Sequence, residues 1–317
     1  MKYFLKRAGL LLLTMALASL VTFFAFQLIS GDPAEVLLGT GATPARVAAL
    51  REELGLNAPL IVRYFRWLGG FFTGDLGVSY SYKQPVWELL APKVGVTLCL
   101  SALSFVLIAG VSIPLGVLTA QIGNRGLLAL RAGFNQLCMA IPPFALGIVI
   151  SWLCGIVLRL FTPGSFPGLA ENFPAALRYL FFAAVCIAVP RVAMTVRMLR
   201  STVTAELNKD YVRTARSRGR TESGILFGHV LKNALTAVIT FLGQTMAEIV
   251  GAGIVVEQVF ALPGLGRMLV ASISNRDYPV VQATVMLLAF WVALTGTAAD
   301  LINRAVDPRL RLGGEQT

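Results

Sequence analysis

Apolar and polar positions along the 317 residues fall into long blocks. Residues 8–31, 94–124, 132–158 and 278–299 carry no charge. Two further windows carry one each, 179–196 broken by Arg191 and 233–256 broken by Glu248. A helix needs about 20 apolar residues to cross a bilayer, so six spans are predicted, centred near residues 19, 108, 145, 187, 245 and 289. Only helices or closed barrels satisfy the backbone in lipid, and blocks of this length mark an all-α membrane protein. Pro114, the pair Pro142–Pro143 and Pro190 lie inside blocks and each removes a backbone hydrogen bond. Broken helices at membrane depth persist only packed on protein or lining a cavity, which favours a moving or pathway-lining bundle.

The segments between blocks have patterns of their own. In "ATPARVAALREELGL", Thr43 suits an N-cap and Pro44 the first helical position. Val47, Leu50 and Leu54 recur at helical spacing and Gly55 ends the run. "IVRYFRWLGGFF" mixes Tyr64, Phe65, Trp67, Phe71 and Phe72 with Arg63 and Arg66, a blend suited to the headgroup layer. It reads as a lid on the outer membrane face, with a substrate-binding patch as the alternative. Residues 257–282 read as a re-entrant segment: "PGLG" turns, "RMLVASI" is a short amphipathic helix, and Asp277 and Pro279 suit the start of the last span.

Composition agrees, with 56% hydrophobic and 14% charged residues against about a quarter charged in soluble domains. Charge adds orientation. Lys2, Lys6 and Arg7, the loop of Arg125 and Arg131, the stretch 197–232 and the tail of Arg304, Arg309 and Arg311 fall on one side of the predicted spans. Residues 197–232 hold eight Lys/Arg against Glu206, Asp210 and Glu222, whereas 32–93 balance six against six. Basic residues accumulate in the cytoplasm, so both termini are expected there, with 32–93 outside. The net charge of +11 is then largely topological and calls for no nucleic acid. The first apolar run exceeds a signal peptide's core of about 7–15 residues and lacks a small-x-small cleavage site; a retained helix is expected.

Chemistry is sparse. Cys99, Cys138, Cys154 and Cys186 all fall in spans without C-x-x-C spacing, and His229 is the only histidine, so no disulfide framework or multi-histidine metal site is expected. There is no G-x-x-x-x-G-K-[ST] to cradle ATP phosphates, and neither H-E-x-x-H nor G-x-S-x-G. Any ATP would be bound elsewhere, and this chain is expected not to be an enzyme.

One stretch is unlike the rest. "KDYVRTARSRG", residues 209–219, is a dense basic loop in an apolar chain. Read as a helix, 211–218 puts Val212, Ala215 and Arg216 on one face, with Gly219 as a stop. A second run, 221–231, starts at Thr221 with Ile225, Leu226 and Val230 apolar. Two short helices bent at small residues would offer a surface to a soluble partner; the alternative is a solvated, positive-inside loop.

"DYVRTARSRG…HVLKNAL" resembles the EAA loop of ABC-importer permeases, in the version carried by the oligopeptide, dipeptide and nickel permeases. "GDPAEVLLG", "LGLNAPLIVRYFRWLGGFFTGDLGVSY", "VGVTLCLSALSFVLIAGVSIPLGVLTA", "GIVVEQVFALPGLGRMLVASISNRDYPVVQ" and "DPRLR" resemble that family in order, over nearly the whole chain. The resemblance implies the six-helix type I ABC importer permease (MetI-like) fold, with a helical outer-face segment after helix 1. Its parts would be 1–31 as first span, 32–93 outside, 94–304 as a five-helix core with a coupling loop at 200–232, and 305–317 as a cytoplasmic tail. It implies a bacterial or archaeal inner-membrane permease for peptides, nickel or metal chelates, with no cofactor in this chain. ATP and Mg would sit on two cytoplasmic ATPases. A second homologous permease would complete a heterodimer in the lipid membrane, served by an extracytoplasmic solute-binding protein.

By the same resemblance, Tyr211, Arg213, Ala215, Arg216 and Gly219 dock into an ATPase cleft. The glutamate that names the motif is absent, with Arg213 in its place. Family members often carry proline where this chain has Ala237, so the fifth span is expected to start straighter. Glu248 resembles a glutamate of the nickel-type permeases. Arg191 and Glu248 remain open as candidate pathway residues: an ion pair, two separate cavity-facing charges, or Arg191 snorkelling to the interface. Counting residues inward puts them about 10 Å apart in depth. They are also the groups an ion-gradient-driven transporter, the alternative class, would use for coupling.

Overall fold

The computed structural model describes residues 2–28, 32–39, 42–120 and 125–306. The tail arginines Arg309 and Arg311, the "DPRLR" stretch and residues 121–124 lie outside them, as do the side chains of Lys2, Lys6, Arg125 and Arg304.

The chain order is α1 Lys2–Leu28, α2 Pro33–Leu38, α3 Pro44–Glu53, α4 Leu60–Thr73, α5 Val86–Ala120, α6 Arg125–Ala140 and α7 Pro143–Ile150. It continues with α8 Phe173–Leu207, α9 Asp210–Ser217, α10 Glu222–Ile225, α11 Leu231–Val259, α12 Leu265–Ser274 and α13 Tyr278–Val306. Among the described residues only the bridge Val78–Pro85 is not helix, turn or loop. Among the described residues five helices are long and apolar enough to cross a membrane. Leu12, Val21, Phe72 and Leu130 stand more than half exposed on helices, which suits lipid rather than water.

The block at 132–158 is not one straight span. Gly126–Ala140 and Pro143–Val157 are bent by 93° and count as a sixth crossing only if taken together. The proline pair explains the break. Pro142 has no N–H and sits extended (φ −65°, ψ 141°), while Pro143 opens α7 at its first position. A residue before proline is driven out of the helical region, and here one proline precedes another. Pro114 and Pro190, isolated, remain inside continuous helices. After α7 the chain winds into a π-helical turn, Ser151–Val157.

The chain divides into two compact units, Met1–Thr97 with Pro263–Ala293, and Leu98–Leu262 with Leu294–Thr317. In the first, Tyr64 of α4 is buried, bonds Ser19 Oγ at 2.9 Å and meets the Phe23 ring edge-on. Thr43 caps α3 through Arg46 N, and Gly55 follows with φ +64°. No residue of α3 is buried; its apolar stripe is only half-covered. Asp277 is fully buried, but its carboxylate does not cap α13. It accepts from Ser79 Oγ and from the backbone N–H groups of Tyr80 (3.0 Å) and Ser81 (3.2 Å).

In the second unit α8 packs on α6, α7 and α11. The buried face of α11 includes Ala234, Val238, Leu242, Thr245, Ile249 and Val256, the three-and-four spacing of a helix stripe. α8 buries small residues, Ala176, Ala183, Ala184 and Ala188, and small residues let helix backbones approach in lipid. Tyr179 of α8 donates to the Phe260 carbonyl at 2.8 Å, pinning the start of α8 to the end of α11.

Candidate functional site

α9 carries the basic loop. Asp210 lies in its first turn and Arg216 in its last, each favourably placed on the helix dipole. Val212 is fully buried and anchors it. Its end is a Schellman motif: Gly219 N–H donates to the Arg216 carbonyl (2.9 Å) and Arg220 N–H to that of Ala215 (3.2 Å), with Gly219 at φ +75°. Glycine is needed there because a Cβ strains the left-handed backbone. A Cβ would meet no other atom within 4 Å; on this chain the cost of substitution is backbone strain, not crowding.

Three clamps fix the loop. Tyr211 OH donates to Glu206 Oε2 of α8 at 2.8 Å, and Asn233 Nδ2 of α11 donates to the same phenol oxygen at 3.5 Å. Lys209 also pairs with Glu206, itself only 8% exposed. Burial, and then the hydrogen bond to Glu206, push the Tyr211 phenol above its ordinary value, so it stays a donor. Arg216 grips Glu222 in a two-pronged bond, Nε to Oε1 at 2.7 Å and Nη2 to Oε2 at 3.0 Å, tying α9 to α10. Arg213 lies 3.7 Å from Asp210 with both side chains well exposed, a weak surface pair. Half-buried Ala215 lines an open cavity of about 370 Å³ with Tyr211, Thr214, Arg218, Arg220 and His229.

Glu206, Glu222 and Asn233 were not among the sequence candidates. Glu206 and Glu222 stood out only as acids in a basic stretch, and their partners lie across turns where periodicity carries no signal. Thr221 caps α10 through Gly224 N, and the helix passes through a π-helical turn at Leu226–Val230 before α11 begins. Ala237 sits inside regular helix, and the irregular winding lies ahead of it.

Arg191 of α8 and Glu248 of α11 form an ion pair, Nη1 to Oε2. This corrects the depth difference of about 10 Å expected from sequence. The Tyr179–Phe260 bond sets the register of the antiparallel helices, and 191 − 179 equals 260 − 248, twelve residues each. The two charges are therefore level, about 18 Å from that pin. Their side chains remain 25% and 45% exposed, so the pair is half-open to whatever passes that face.

Residues 112–312 match the family described as "Binding-protein-dependent transport system inner membrane component", and residues 1–101 match its N-terminal region. This chain belongs to that family. It is a multi-pass inner-membrane permease subunit of a binding-protein-dependent ABC importer, and not the catalytic subunit. The ion-gradient alternative falls with that assignment. A Brucella abortus protein named for a peptide transport system permease is 35% identical over 97% of this chain and 98% of its own length. The dipeptide transport system permease DppB of Escherichia coli is 32% identical over 98% and 99%. The solved structure of the methionine ABC transporter MetNI, inward-facing, matches with a TM-score of 0.58 at 22% identity, over 69% of this chain and 96% of that one; it bears on the fold alone.

Proposed function

We propose that the permease forms half of the path of a peptide importer, beside a second homologous permease, with two cytoplasmic ATPases holding ATP and Mg and a solute-binding protein outside. Both termini are cytoplasmic and residues 32–93 face outward. Tyr211, Arg213, Ala215, Arg216 and Gly219 form the surface that an ATPase grips. The observation that carries the peptide reading is near-full-length similarity to proteins named for peptide and dipeptide transport.

The loop's clamps give the coupling a physical route. Tyr211 touches the end of α8 through Glu206 and the start of α11 through Asn233. A displacement of α9 therefore acts on both helices, and these hold Arg191 and Glu248 between them. Glu248 is neutralised by Arg191 and is no free acid for a passing cation, which favours peptide over nickel. The test is ATP-dependent uptake by the complete importer in proteoliposomes. Labelled di- or oligopeptide should accumulate and labelled nickel should not; nickel uptake without peptide uptake would overturn the substrate assignment.

A further inference from the structure

Two cavities adjoin on α5, α6 and α8 of the second unit, and Arg131, Thr119, Asn135 and Val196 line both. One, of about 580 Å³, is largely apolar, with Val111, Leu115, Phe134, Phe181, Val185 and Val192 in its wall. The other, of about 620 Å³, lies toward the coupling-loop end of α8 and gathers Arg131, Arg197 and Arg200. Among the described residues no Asp or Glu lines either cavity. Nη1 of Arg131 is buried without a hydrogen-bond partner among the described residues. Arg197 and Arg200 have no ion-pair or hydrogen-bond partner among the described residues. A buried donor left unmade is costly, and three guanidiniums around one cavity call for an anion with several acceptor oxygens.

We propose that these cavities bind an anionic phospholipid of the cytoplasmic leaflet, its phosphate on Arg131, Arg197 and Arg200 and one acyl chain in the apolar groove. The assignment of leaflet rests on the orientation proposed above. The groove's wall on α8 runs from Phe181 to Val196, about 22 Å of helix, while one leaflet's hydrocarbon is about half of a ~30 Å core. A chain entering from the arginine end thus has room for its full depth. A peptide carboxylate would satisfy the arginines and leave the groove open. A partner's helix would fill the groove and leave the arginines without an anion. A phospholipid meets both demands, and basic pockets between helices on the cytoplasmic side suit such headgroups.

The complete importer, equilibrated with vesicles of equal phosphatidylglycerol and phosphatidylcholine and then extracted in mild detergent, is examined by native mass spectrometry for retained lipid. Phosphatidylglycerol should be retained over phosphatidylcholine, and Arg131→Gln should cut that retention roughly fivefold, the effect of about one charge at the surface. Leu115→Trp blocks the groove while keeping every arginine and should also cut retention. It decides the matter if Arg131→Gln does not assemble. Equal retention of the two lipids, or unchanged retention in Leu115→Trp, overturns the proposal. So does displacement of the lipid by inorganic phosphate alone, which makes the site one for a free anion. A disulfide from Val111→Cys to the second permease would give the groove to a protein helix and overturn it too.

Discussion

Neutralising Arg191 or Glu248 alone leaves the other charge half-covered between α8 and α11. Breaking a buried pair costs about 3–5 kcal/mol and an exposed one about 0–1; at 25% and 45% exposure the loss should fall between. We expect Glu248→Gln and Arg191→Gln each to lower purified yield and uptake, and the exchange Arg191→Glu with Glu248→Arg to restore yield. Failure of the exchange to rescue while Glu248→Gln assembles normally would make the two charges independent. At Gly219, Ala should cost about 1–2 kcal/mol of left-handed strain, and Asn less. Faster amide exchange over 210–218 in Gly219→Ala, and near-normal exchange in Gly219→Asn, would register it. Gly219 and the cap Thr43 were legible because each acts on its immediate neighbours. The Asp277 tie to residues 79–81 was not, since its partners lie nearly two hundred positions away and only the fold brings them together.

At the scale of the element, close approach between helices makes demands that a hydropathy window does not record. A Cβ on Gly243 of α11 would lie 2.2 Å from Cβ of Ala299 on α13. Gly243→Ala should therefore destabilise by about 1–3 kcal/mol through overpacking, and Ala299→Gly in the same chain should recover part of it. Unfolding midpoints of the two single variants and the double variant in detergent measure this; additive losses would mean the helices do not meet there. The apolar blocks placed every long helix because length and hydrophobicity decide what can cross a bilayer. They could not distinguish the proline pair at 142–143, which breaks its helix, from Pro190, which does not, because packing on neighbouring helices decides whether one lost hydrogen bond is tolerated. The same limit misjudged Arg191 and Glu248: depth counted along each span misses a register set by Tyr179 and Phe260.

For the whole molecule, orientation and coupling stand or fall together. With the four native cysteines replaced, Lys83→Cys should react with an impermeant thiol reagent in intact cells and Ser217→Cys only after permeabilisation. Labelling of Ser217→Cys from outside would reverse the proposed topology. If the loop around α9 is the surface gripped by the ATPase, Ala215→Cys in the cysteine-free permease should form a disulfide with a cysteine placed in the facing cleft of the ATPase subunit in the assembled importer. Its yield should change on adding ATP, while Lys83→Cys gives none. No cross-link from Ala215→Cys at any cleft position, in an importer that still takes up peptide with ATP, would contradict the coupling role of this loop.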